Sequence, residues 1–165
     1  MDDITYIPTR SERLQELIKK PYDEAEKELY RLISKAVFKP TMDDKHPENR
    51  ESRKMVLKYL IEKSGENKSM IVDDMVCAIE GLDSGSDQET FSSVMNRYRQ
   101  LIGALYTDLP LFIRRTEDRK NKKAYRLDTG AVSAFNQKYR DTVEFISGYK
   151  GDLRLLLLDE LDRLN

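Results

Sequence analysis

The stretch Phe112–Leu127, Phe-Ile-Arg-Arg-Thr-Glu-Asp-Arg-Lys-Asn-Lys-Lys-Ala-Tyr-Arg-Leu, follows a long amphipathic segment and narrows the choice of fold more than any other part of the chain. Its pattern predicts two short strands joined by a charged turn, with Leu111, Ile113, Tyr125 and Leu127 pointing inward as anchors. Arg119, Lys120, Lys122 and Lys123 then project from the turn. Seven Lys/Arg stand against Glu117 and Asp118, a local charge of +5 on a chain whose formal net charge is −1. A basic hairpin on a slightly acidic protein is a localised electrostatic device, and its usual partner is a phosphate backbone. The bland alternative is a charge cluster that keeps an edge strand from pairing with other chains.

The segments before the hairpin read as helices. Thr9 and Glu12 have capping-box spacing ahead of Leu14, Leu17 and Ile18. Pro21 opens a second helix with Asp23 and Glu24 in its first turn and a stripe of Tyr22, Ala25, Leu29, Leu32, Ile33, Ala36 and Val37, ended by Pro40. Residues 40–50, with Asp43, Asp44, His46 and Pro47, read as a boundary. Met55, Val56, Tyr59 and Leu60 mark the next helix, which stops near Ser64-Gly65. A polar turn and a short helix over 72–80 follow. Ser86 and Glu89 suggest a cap for a long helix running to about Tyr106. Beyond the hairpin, Val132, Phe135, Tyr139, Val143 and Ile146 keep helical spacing, and Leu153, Leu155–Leu158, Leu161 and Leu164 form a last, Leu-rich helix. Leu155–Glu160 superficially matches an apolar strand ending in a magnesium-binding acidic pair. No glycine-rich phosphate loop accompanies it, so it is expected to be a packing helix with Asp159 and Glu160 solvated.

With 165 residues and 36% charged residues in periodic register with apolar ones, the chain is long enough to bury a core without disulfides or metal. The single cysteine, Cys77, makes no internal disulfide and fits a reducing compartment, where it is expected to be a core thiol. No apolar run nears the roughly 18 residues of a membrane span and no signal peptide opens the chain. The expectation is a soluble, cytoplasmic protein, nucleoid-associated in a prokaryote. His46 is the only histidine, which leaves little material for a metal site or a triad. Neither an enzyme nor a cofactor is expected.

The order helix, helix, long helix, two-stranded hairpin over Arg50–Asp128 resembles the winged helix-turn-helix superfamily. The resemblance rests on Leu57-Lys-Tyr-Leu-Ile-Glu62, Asp73-Asp-Met-Val-Cys-Ala-Ile79, Phe91-Ser-Ser-Val-Met-Asn-Arg-Tyr-Arg99 and the wing Leu111–Leu127, about half of the chain. It implies a mainly α fold: a winged-helix core of three helices plus a two-stranded wing over residues 50–128. A helical arm, 1–49, precedes this core, and a second arm, 129–165, follows it. It also implies that the wing touches the minor groove or flanking phosphates.

On a helical wheel of the long helix, Phe91, Val94, Met95, Tyr98, Leu101, Ile102 and Leu105 fall on the core side. Glu89, Ser93, Asn96, Gln100 and Gly103 fall opposite, flanked by Ser92 and Arg99 on one side and Arg97 on the other; Glu89, an acid near the helix start, counts against a nucleic-acid contact. Asn and Gln pair bidentately with adenine, Arg with guanine, and hydroxyls reach phosphates. Ser92, Ser93, Asn96, Arg97, Arg99 and Gln100, with Arg119, Lys120, Lys122 and Lys123, are therefore the candidate contacts to double-stranded DNA. The surplus of leucine in the terminal arms points to homodimerisation, and the combined expectation is a homodimeric transcriptional regulator or other DNA-site-binding factor. The competing expectation is a winged-helix module that binds another protein within an assembly and has no affinity for DNA.

Overall fold

The computed structural model describes residues 10–39, 45–64, 69–82, 87–117, 122–146 and 153–164. Among them the chain is mainly helical, with seven helices and one small antiparallel sheet. Helix α1 spans Arg10–Ile18, α2 Tyr22–Val37 and α3 Glu48–Lys63. Strand β1 (Met70–Ile71) leads directly into α4 (Val72–Glu80), which is followed by the long α5 (Gln88–Asp108). The hairpin β2 (Ile113–Glu117) and β3 (Lys123–Leu127) comes next, then α6 (Thr129–Ile146) and α7 (Leu153–Arg163).

The sheet has three strands in the order β1-β3-β2, where the sequence pattern predicts two. The added strand is short: Met70 pairs with Tyr125 and Ile71 with Ala124. It covers the outer edge of β3, whose other edge pairs with β2 from Ile113–Leu127 to Glu117–Lys123. An edge so covered offers no free row of N–H and C=O groups to another chain.

Each α5 boundary has a local cause. Asp87 is the N-cap, its carboxylate accepting from the Thr90 backbone N–H at 3.0 Å. The cap thus lies one residue beyond the expected Ser86, which falls outside the described residues. At the far end Pro110 follows Leu109 and turns the chain into β2. Helix α4 ends at Gly81, whose φ of 69° is the left-handed conformation that favours glycine, and Leu82 N–H bonds back to the Cys77 carbonyl at 3.1 Å. Helix α3 begins at Glu48, two residues inside the expected boundary segment.

The buried stripes follow the expected spacings. Tyr22, Ala25, Leu29, Ile33, Ala36 and Val37 of α2 share one core cluster with Met95, Tyr98, Ile102 and Leu105 of α5, and Leu101 of α5 is buried as well. Leu111, Ile113, Tyr125 and Leu127 anchor the hairpin and are all buried. The flanking helices join the same core: Leu17 of α1, Phe135 and Tyr139 of α6, and Leu153, Leu156, Leu157 and Leu161 of α7 belong to one cluster with the central residues. Each such leucine contributes about 1.5–3 kcal/mol when fully buried. The leucines that suggest a dimer are thus mostly spent inside the chain, and Leu155 is the one of α7 that stands exposed.

Polar groups inside this core fasten helix ends. The buried Arg53 guanidinium donates to the Val37 carbonyl at 3.0 Å, a cation at the negative end of α2. Tyr139 O–H reaches the Leu17 and Lys20 carbonyls at 3.2 and 2.5 Å and so closes α1, and burial pushes its hydroxyl pKa upward. Ser64 accepts from the Leu127 N–H at 2.9 Å, joining the end of α3 to the end of β3. Glu160 departs from expectation. It is buried, at 7% exposure, and burial raises its carboxyl above the ordinary range. Asp159 is half-buried and pairs with Arg163 at 3.2 Å. Cys77 is half-buried and packs against the core, not within it.

Among the described residues no helix is long and apolar enough to cross a membrane.

Candidate nucleic-acid interface

Helix α5 carries its polar residues on the face away from the core. Ser92, Ser93, Asn96, Arg99 and Gln100 are exposed, as the wheel predicts. At 1.5 Å per residue the row from Ser92 to Gly103 extends about 16 Å along the helix. Glu89 is also exposed at its start.

Two of these side chains are already tied to each other. Arg99 donates to the Asn96 side-chain oxygen at 3.2 Å and to Asp73 at 3.3 Å, across to the first turn of α4. An exposed ion pair of this kind is worth at most about 1 kcal/mol, so Arg99 exchanges Asp73 for an incoming anion at little cost.

Arg97 is placed differently. It is half-buried, donating to Asn49 Oδ1 at 2.9 Å and Ser52 Oγ at 3.0 Å, and it lies 3.5 Å from Glu80. Its guanidinium also stacks 4.7 Å from the Tyr98 ring centroid. The Tyr98 hydroxyl donates to Glu80 and lies 3.3 Å from Ser52 Oγ. Burial and the neighbouring Glu80 carboxylate raise its pKa. These residues come from α3, α4 and α5, so Arg97 locks three helices together and is not part of the exposed stripe.

The hairpin lies beside the second half of α5. Pairing of Arg115 with Tyr125 and of Glu117 with Lys123 puts all four on one face of the hairpin, the face towards α5. Arg115 stacks 4.8 Å from the Tyr106 ring centroid, and Tyr125 meets the same ring edge-on with centroids 6.0 Å apart. Lys122 and Lys123 are exposed. Arg119 and Lys120 lie outside the described residues.

Where hairpin, α5 and the start of α4 converge there is a cavity of about 340 Å³. Among the described residues, Arg99, Arg115, Lys122 and Lys123 line it together with one acid, Asp73, and Ile71, Val72, Gly103 and Tyr125 complete the wall. The fold therefore unites Arg99 of the helix stripe with two lysines of the turn at one basic concavity. Ser92, Ser93, Asn96 and Gln100 do not line it.

Arg115, Gly103 and Asp73 as parts of this site escaped the sequence reading. A signal existed for Arg115: it alternates with Ile113, so period 2 puts it on the inward face, beside a helix that offers Tyr106. No such signal joins Asp73 to Arg99, because their contact spans α4 and α5.

His46 is exposed and 3.6 Å from Glu48. Among the described residues no group of three or more His, Cys, Asp or Glu is placed to hold a metal ion.

No protein-family model matches this chain, and neither a curated protein nor a solved structure matches it.

Proposed function

We propose that residues 50–128 are a winged helix-turn-helix module that binds double-stranded DNA, with α5 as the helix that reads the duplex and the β2–β3 hairpin as its wing. The reading is supported by connectivity: helix α3, strand β1, helices α4 and α5, then a hairpin whose second strand pairs with β1. The single observation that carries it is the alignment of an exposed polar row on α5 (Ser92, Ser93, Asn96, Arg99, Gln100) with a basic hairpin at the end of that row. Phosphate contacts from the hairpin fix position, while Asn96 and Gln100 supply hydrogen bonds to base edges. Arg97 acts from within, holding α5 against α3 and α4. A transcriptional regulator or another DNA-site-binding factor is the corresponding biological role.

The test separates the two kinds of contact. Changing Arg119, Lys120, Lys122 and Lys123 to Gln should weaken binding to all duplex sequences alike and flatten the salt dependence. Changing Asn96 or Gln100 to Ala should alter sequence preference. Indifference of DNA binding to both sets would favour a protein partner for the same surface. Pairing of two chains is a separate proposal. It draws on Met55 and Leu155, the exposed large apolar side chains among the described residues, and a monomer mass in light scattering at micromolar concentration would overturn it.

A further inference from the structure

Gly103 lies in the interior of α5, where glycine costs about 1 kcal/mol relative to alanine. Among the described residues nothing requires it. Gly81 is the glycine with positive φ among those described, and a Cβ at Gly103 would meet no heavy atom within 4 Å. What the missing side chain does is leave the α5 backbone open to the basic cavity beneath the hairpin. A glycine facing open space is accounted for when a ligand, not the protein, approaches the backbone there.

The cavity has the chemistry of an anion site. Arg115 is held in place with its guanidinium carbon 4.8 Å over the Tyr106 ring, a cation–π contact that uses none of its N–H groups as hydrogen-bond donors. Lys122 and Lys123 stand on the same side, and Arg99 is joined to its present partner Asp73 by an exposed ion pair. The volume of about 340 Å³ is at the small end of the range for organic ligands, and Ile71 and Val72 give it an apolar wall.

We propose that this cavity binds the phosphate of a nucleotide, with Arg115, Lys122, Lys123 and Arg99 as the donors and Gly103 as the opening that admits it. The sugar of the same nucleotide packs against Ile71 and Val72. The phosphate comes either from a duplex backbone, in which case the inference rests on the DNA reading above, or from a free nucleotide, in which case the cavity stands on its own. The chemistry recognised is the same.

The experiment uses the full chain with two probes, dAMP followed by amide NMR and random-sequence duplex DNA followed by fluorescence anisotropy. Three variants are compared, each checked for folding by thermal melting. Gly103→Leu fills the cavity without changing charge, Gly103→Ala leaves most of it open, and Arg115→Gln removes a donor. For at least one probe, Gly103→Leu and Arg115→Gln should each weaken binding about tenfold, the equivalent of one charge-assisted hydrogen bond, while Gly103→Ala binds like the parent. An effect on dAMP identifies a free nucleotide as a ligand, and an effect on the duplex alone identifies a backbone phosphate. Loss of dAMP binding in a protein that ignores duplex DNA upholds the cavity and overturns the DNA reading. Duplex binding untouched by either variant, with no dAMP binding, overturns the cavity and leaves the DNA reading intact. Binding of neither probe overturns the cavity as well.

Discussion

Arg115 stacks over the ring of Tyr106 at 4.8 Å, so the first strand of the basic hairpin is pinned to the last turn and a half of α5. The same ring supports Tyr125 on the second strand. One tyrosine thereby joins the helix that carries the polar stripe to both strands of the hairpin that carries the charge, beside the hairpin's apolar anchors. Tyr106→Leu keeps apolar bulk but removes both interactions. It should destabilise the fold by about 1–2 kcal/mol in urea unfolding. DNA affinity should fall further than the change in the folded fraction explains, because the two contact surfaces lose this link.

Arg97 and its neighbours on α5 should separate cleanly. Arg97→Ala removes hydrogen bonds to Asn49 and Ser52 and leaves Glu80 without its cation, at a cost of about 1–3 kcal/mol in stability. Its effect on the choice of DNA sequence should be nil. Asn96→Ala and Gln100→Ala are exposed changes that should leave stability within about 0.5 kcal/mol. Denaturant unfolding beside a sequence-selection assay reads both outcomes. A shift in sequence preference for Arg97→Ala would place its side chain in the groove after all.

Ser64, the residue that caps the end of α3, ties that end to β3 by a side-chain hydrogen bond. Its Oγ accepts from the Leu127 N–H at 2.9 Å, and its residue is 4% exposed. Ser64→Ala leaves that buried N–H unsatisfied and should cost about 1–3 kcal/mol, read from the urea midpoint at unchanged slope. A neutral result would mean that water replaces the hydroxyl.

Glu160 gives the fold a pH dependence of definite sign. Burial raises its carboxyl above the ordinary 4.5, with Asp159 and Glu26 acting in the same direction and Arg163 opposing. The nearby Tyr30 hydroxyl is pushed up to about 12, by burial first and then by Glu26. A raised carboxyl favours the folded state when protonated. Its contribution is complete below the ordinary value and is lost as pH climbs through the raised one. Gln imitates the protonated form at every pH. Glu160→Gln should therefore melt higher than the parent at about pH 7, and the two should converge at about pH 3.5. An equal difference at both pH values would show that the effect is not titration.

The repeating patterns of the chain made most of the helices and the hairpin legible. The stripes of α2 and α5 recur at helical spacing, and Ile113, Tyr125 and Leu127 alternate as strands do. Strand β1 was not legible because two residues carry no period; Met70 and Ile71 become a strand only because β3 has an edge to pair. Glu160 could have been placed. Leu153, Leu156, Leu157 and Leu161 define the buried face, and Glu160, seven residues after Leu153, falls on it. Its carboxylate character outweighed its position in the reading. For Arg97 the wheel located the side chain at the flank of the stripe, but Asn49, Ser52 and Glu80 come from two other helices. The cavity has the same origin, assembled from three segments that only the fold brings together.

The central claim is that the hairpin and the exposed face of α5 bind a phosphate backbone. The most direct measurement is fluorescence anisotropy of random-sequence duplex DNA with the full chain across a salt series. Micromolar binding should appear at low salt and weaken steeply as salt rises. The log–log slope should correspond to about four or more released counterions, at roughly 0.9 per phosphate contacted. Absence of binding at low salt, or binding indifferent to salt, would contradict the account and assign this surface to a protein partner.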